Sequence, residues 1–133
     1  MNIEELIYNK EPLIAVYGKM PSLRDIDLFE IIFARDGPTV SLRFDLLEYP
    51  AKPPAKWAAQ GYNQVQLTLV CFGLFEVHQQ GWGYSNTAKL TATTLENGSK
   101  QVSVKGSTIS LHVTCDFISV EKVTAYLKEA EQE

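Results

Sequence analysis

A chain of 133 residues, 45% of them apolar, can bury roughly two thirds of its unfolded surface in one core, which makes a disulfide or metal staple unnecessary. No apolar run approaches the roughly twenty residues of a membrane-spanning helix, and Met1 to Ile7 lack the basic and apolar regions of a secretory signal. A formal charge of −4 without any basic stripe argues against nucleic acid, so the expectation is one cytoplasmic domain over 1–133 with neither nucleic acid nor membrane as partner.

Ile3, Leu6 and Ile7 can form a helical turn. Glu11 to Tyr17 predicts a short helix, with Pro12 in the first turn, where a missing N–H costs nothing, and Gly18 as the stop. Lys19 to Asp25 reads as a loop; Ser22 and Asp25 have capping-box spacing, but strand follows. Leu28 to Arg35 then predicts a strand with Phe29, Ile31 and Phe33 on one face and Leu28, Glu30 and Ile32 on the other. Asp36 and Gly37 supply a hairpin turn, with Pro38 in the turn or first in the next strand. That next strand is the cleanest in the chain: Val40, Leu42, Phe44 and Leu46 alternate with Ser41, Arg43, Asp45 and Leu47.

Pro50 to Trp57 reads as a proline-stiffened loop. Beyond it, Val65, Leu67, Leu69 and Cys71 mark a third strand, Leu74 to Gln80 a short fourth, and Leu90, Ala92 and Thr94 a fifth. The Asn97-Gly98 turn leads to Val102 and Val104 in a sixth, and Gly106-Ser107 to Ile109, Leu111, Val113 and Cys115 in a seventh. Short turns predict that successive strands pair. Phe117 to Leu127 is ambiguous: Val120, Val123, Leu127 and Ala130 fit helical spacing, while Ile118, Val120, Val123 and Thr124 favour a strand, the reading adopted here. Part of the acidic excess sits at the end, in Glu129, Glu131 and Glu133. The fold class is α+β: short N-terminal helices followed by a mainly antiparallel sheet of seven to eight strands. Phe29, Phe33, Phe44 and Phe117 are expected in its core, as are both thiols, Cys71 and Cys115.

No set of residues satisfies a catalytic pattern. Cys71, His78, His112 and Cys115 lack zinc-ligand spacing. Ser110, His112 and Asp116 share a strand face, but i and i+2 lie nearly 7 Å apart, too far for a serine to be activated directly; the same argument separates Glu76 from His78. Asp25 with Asp27, and Asp45 with Glu48, read as solvated charges, and the Gly81 to Tyr84 segment lacks the strand-turn-helix order of a phosphate cradle. Neither a metal nor a cofactor is expected. What remains is a set of aromatic residues, Trp57, Tyr62, Trp82 and Tyr84, in segments that read as loops or strand ends, where amphipathic rings can anchor a partner.

Seven pieces occur in order along Leu13 to Tyr126: Val16-Tyr17-Gly18, Pro21-Ser22-Leu23, Arg35-Asp36-Gly37-Pro38 with Leu42-Arg43-Phe44-Asp45, Pro53-Pro54-Ala55-Lys56-Trp57, Asn63-Gln64-Val65-Gln66, Gly81-Trp82, and Asp116-Phe117-Ile118. In this the chain resembles the bacterial immunity protein 50 family, cytoplasmic antidotes encoded beside polymorphic toxins. The better known form of the family carries a Phe-His-Asp-like triplet after Pro-Ser; here Leu23, Arg24 and Asp25 stand there, so only Ser22 and Asp25 match. The resemblance implies a non-enzymatic protein that binds a cognate toxin and blocks its active site or substrate access. With that role the expected interface is Tyr49, Trp57, Trp82 and Tyr84, with Asp45 and Glu48 supplying charge. Competing readings are a sheet module binding a small ligand or glycan, which requires a deep aromatic pocket, and a small enzyme of unrecognised type.

Overall fold

A computed structural model describes residues 3–129. Ala130, Glu131 and Glu133, used above, lie outside the described residues. In order come helices α1 (Ile3–Leu6) and α2 (Glu11–Tyr17), strands β1 (Ile26–Ala34) and β2 (Thr39–Asp45), and helix α3 (Ala55–Gln60). Strands β3 (Gln64–Phe72), β4 (Glu76–Gln80), β5 (Thr87–Thr94), β6 (Lys100–Gly106), β7 (Ser110–Cys115) and β8 (Phe117–Tyr126) complete the chain. The fold is α+β with eight antiparallel strands, and the ambiguous tail is a strand. Helix α2 ends as expected: Gly18 takes a left-handed φ of 75° and donates its N–H to the Ile14 carbonyl.

One loop expectation is corrected. The second half of the proline segment is helix α3, because Ala55, Lys56, Ala58, Ala59 and Gln60 are good helix formers. Gly61 closes it at a φ of 68°. Six residues are too few to show a helical period, so Trp57 stands on a helix rather than a loop.

The sheet order is β4-β7-β6-β5-β1-β2-β3-β8. Successive strands therefore do not pair for β3 with β4, β4 with β5, or β7 with β8. Strands β3 and β4 form one long strand bent at 73–75, and β7 and β8 another bent at Asp116. Their shared ladder runs from Gln64 opposite Tyr126 to Phe72 opposite Phe117, and resumes from Glu76 opposite Thr114 to Gln80 opposite Ser110. It crosses the bend by Asp116 donating to the Phe72 carbonyl (2.8 Å) and Phe75 donating to the Thr114 carbonyl (3.0 Å). Since β4 and β8 are the two ends of the sheet order, this ladder curls the sheet back on itself.

Inside the curl, Val40, Leu42 and Phe44 of β2 meet Val65, Leu67, Leu69, Leu90, Val104, Leu111 and Val113, all essentially inaccessible, with Leu6 and Leu13 of the helices closing one side. Cys71 and Cys115 meet there too; the hydrogen bond between the thiols, then burial, pushes Cys71 well above the ordinary thiol range. The outer edge of β8 is covered where Tyr8 donates to the Ile118 carbonyl (2.7 Å) and the Asn9 side chain bonds both backbone groups of Val120.

Three of the four phenylalanines expected in the core are instead exposed: Phe29, Phe33 and Phe117, at 41%, 48% and 44%. For Phe29 the cause is a bulge between Leu28 and Glu30. It shifts the alternation by one, so Leu28 joins Ile31 and Phe33 opposite Phe44, Leu42 and Val40, with Phe29 as the extra residue. Phe117 lies just past the Asp116 bend, stacked on Phe72 at 4.9 Å.

The bend requires glycine at 73, where φ is +70° and a Cβ would sit 2.1 Å from Asp116 Oδ2. Gly73→Ala is expected to lower unfolding stability by about 1–3 kcal/mol, read by denaturant titration.

Candidate partner-binding site

Strand β1 pairs with β5 only at Ile26 and Asp27, after which Leu28 donates to the Asn86 carbonyl (3.0 Å) and the two strands part. From Phe29 to Ala34 the side of β1 away from β2 has no strand partner among the described residues. Among the described residues strand β4 pairs only with β7, so it too keeps one open edge. The two open edges and the 81–86 connection border an opening in the sheet. Phe29, Glu30, Ile31 and Phe33 face Gln79 and Trp82 across a hollow of about 320 Å³. Phe29 and Trp82 also line an adjoining hollow of about 250 Å³ with Tyr84. Phe33 looks toward the core face yet stays half-exposed because no described residue covers this opening.

The connection carrying Trp82 and Tyr84 is held from beneath by Asn86, which is 1% exposed. Its side-chain oxygen accepts from the Gly83 N–H (2.8 Å) and the Thr108 hydroxyl (3.0 Å), while its amide donates to the Gly83 carbonyl (2.9 Å) and the Leu28 carbonyl (3.3 Å). Its own N–H reaches Asp27 Oδ1 at 3.0 Å. Gly81, at a φ of +84°, lies against the Thr108 carbonyl, where a Cβ would come within 2.3 Å. Trp82 is half-exposed and Tyr84 projects fully into solvent from this fixed frame. Neither Asn86 nor Phe29 was among the residues expected to act; an asparagine after Gly-Trp-Gly-Tyr-Ser, where side-chain turns are common, was the available signal.

The six residues expected at the interface separate. Trp82 and Tyr84 stand together at the opening. Asp45, expected to be a solvated charge, is 3% exposed. It accepts from the Tyr126 hydroxyl in a short bond and from Gln66 (3.1 Å), with Lys128 at 3.8 Å. Gln66 in turn accepts from Arg43, whose guanidinium pairs with Glu30 at 3.2 Å and lies over the Phe29 ring. Glu48 accepts from the Ser22 N–H (2.7 Å) and pairs with Lys19 (3.6 Å), at the wall of a separate hollow of about 650 Å³ between residues 20–24 and β5. Tyr49 and Trp57 pack against the core, and the buried Tyr49 hydroxyl has no hydrogen-bond partner among the described residues. Of the matched pair Ser22 and Asp25, the serine hydroxyl accepts from the Arg24 N–H, not from the aspartate side, and Asp25 takes a φ of 53°.

One catalytic exclusion is corrected in its geometry. Glu76 and His78 do meet, at 2.8 Å, because long side chains lean across the i, i+2 spacing. His112 bonds Ser103, its cross-strand neighbour, at 2.8 Å rather than Ser110. Both contacts lie on the sheet exterior. Among the described residues no group of three or more His, Cys, Asp or Glu is arranged to hold a metal ion.

The model of a family described as Immunity protein 50 matches residues 9–126, which contain both rims of the opening and all six residues above. The chain belongs to the immunity protein 50 family. No curated protein and no solved structure matches it. Membership in this family of non-enzymatic inhibitors implies toxin neutralisation.

Asn86→Ala removes one partner from each of four polar groups beneath the rim, so it is expected to cost at least about 1–3 kcal/mol in denaturant unfolding. Burial, then the Asp45 hydrogen bond and charge, raise the Tyr126 hydroxyl above its ordinary 10.0, and burial with Glu48 and Tyr49 does the same for Tyr17. In both cases the unfolded chain releases the proton first. Their stabilisation is therefore complete below pH 10 and is lost as the pH rises beyond it. A Tyr17→Phe, Tyr126→Phe double variant should show a flatter stability profile above pH 10 than the parent.

Proposed function

We propose that this chain neutralises one cognate polymorphic toxin in the bacterial cytoplasm by binding it through the sheet opening. The observation that carries this reading is an aromatic cluster, Phe29, Phe33, Trp82 and Tyr84, exposed around a rim whose backbone is already fixed. Large exposed rings on a pinned connection can be buried against a partner with little further loss of conformational freedom. The binding surface proposed here keeps Trp82 and Tyr84 from the sequence reading and adds Phe29 and Phe33. Asp45, inaccessible beneath Tyr126, takes the role of holding strand β2 to β3 and the chain after β8.

The ligand or glycan reading needs a deep cavity walled by aromatic rings. The hollow of about 650 Å³ between residues 20–24 and β5 is lined by no aromatic side chain, and the two aromatic hollows of the rim are about half its size or less. A protein partner fits the opening better.

Co-expression with the toxin encoded beside this chain should restore growth, and the purified proteins should form a stable complex; failure of both with folded protein contradicts the reading. Within that complex Trp82→Ala should weaken binding about thirtyfold, the ~2 kcal/mol of a central aromatic anchor, by calorimetric titration. Trp57→Ala should leave affinity close to the parent and lower thermal stability instead, since this ring packs against the core.

A further inference from the structure

The backbone of β1 specifies what enters the opening. On β2, Leu46 donates to Val65 of β3, and the Pro38 carbonyl accepts from Gly73 and Leu74 just beyond β3, so the even-numbered residues of β2 direct their N–H and C=O toward β3. The odd-numbered residues Thr39, Ser41 and Arg43 therefore bond β1, through Ala34, Ile32 and Glu30. Ile31 and Phe33, opposite Leu42 and Val40, turn their backbone groups the other way, toward the opening. Leu28 does the same at the seam, where its N–H and C=O are taken up by Asn86. Two residues of strand-spaced donors and acceptors are thus presented beside Phe29, Phe33 and Trp82, with no backbone partner among the described residues.

From this edge we infer that the toxin inserts an extended segment that pairs with β1 at Ile31 and Phe33, adding a strand in the opening. This deepens the proposed function and rests on it. Free N–H and C=O groups at strand spacing are matched by another extended backbone, and the apolar lining at Ile31, Phe33 and Trp82 suits alternate apolar side chains of that segment. A second copy of this chain is the less suitable occupant. The bulge at Phe29 and the Glu30–Arg43 pair on the same strand disfavour indiscriminate edge pairing between copies.

The experiment uses the full chain and the toxin encoded beside it. Proline at 33 removes an N–H that β2 does not use, so Phe33→Pro is compared with Phe33→Ala, which loses the ring alone. Phe33→Pro should bind about tenfold more weakly than Phe33→Ala. In parallel, amide exchange of the unaltered protein should slow at Ile31 and Phe33 when the toxin is added, a measurement that stands even if the proline variant does not fold. A stable toxin complex in which both amides exchange at the free rate overturns strand addition and leaves the proposed function intact. Equal affinity of the two variants, both folded, does the same. Slowing that follows the concentration of this chain without toxin assigns the edge to a second copy and overturns the inference. If no complex forms, the proposed function fails and strand addition fails with it.

Discussion

Each β-strand has two hydrogen-bonding edges, and a curled sheet must leave an edge open wherever neighbouring strands diverge. Here the divergence is between β1 and β5, which share only two residue pairs before β1 leaves for the Asp36-Gly37 turn. Its origin lies across the molecule. The bends at 73–75 and Asp116 carry the β3–β8 ladder into the β4–β7 ladder, and that continuous pairing sets where β4 and the 81–86 connection must lie. The exposed rings of Phe29 and Phe33, the two rim hollows and the unpaired backbone at Ile31 and Phe33 all follow from that geometry. The corresponding edge of β8 shows the alternative, since residues 7–9 cover its first half.

An open edge is useful for recognition only if its surroundings hold still. Two buried polar side chains do much of this work, Asn86 and Asp45. Asn86 joins the Trp82–Tyr84 connection, β1 and the segment before β7 through hydrogen bonds that leave no side-chain donor or acceptor idle. Asp45 ties β2 to β3 and to the end of β8, and its partner Gln66 extends the network through Arg43 to Glu30 on β1. Such networks add order because leaving any one member unpaired in a buried setting is costly. The hydroxyl of Tyr17 serves the same purpose at the far side, donating to the Glu48 carbonyl at 2.8 Å and fastening α2 to the loop after β2.

Most of the secondary structure was legible because it rests on local rules. The alternation from Val40 to Leu46 needs only a period of two, and Pro12 with Gly18 bounds α2 by backbone chemistry alone. What the sequence could not show was long-range. The bulge at Phe29 brings Leu28 rather than Phe29 onto the face of Ile31 and Phe33, and nothing local distinguishes it from regular strand. That β3 and β4 are one bent strand, as are β7 and β8, depends on which edges meet after the sheet curls. Burial of Asp45 comes from Tyr126, some eighty residues later in the chain, so the aspartate reads as solvent-facing until the last strand is placed. The proposed binding surface was legible in part: Trp82 and Tyr84 read as exposed aromatics, while Trp57 did so for a ring that packs against the core.

The central claim is that the chain acts through the sheet opening and not through the larger hollow beside residues 20–24. Hydroxyl-radical footprinting of the toxin complex compares the two surfaces in one sample, because Trp82 and Tyr84 mark the first and Met20 marks the second. Oxidation of Trp82 and Tyr84 should fall sharply on complex formation while that of Met20 stays at the free level. Protection of Met20 with Trp82 and Tyr84 unchanged would contradict the account.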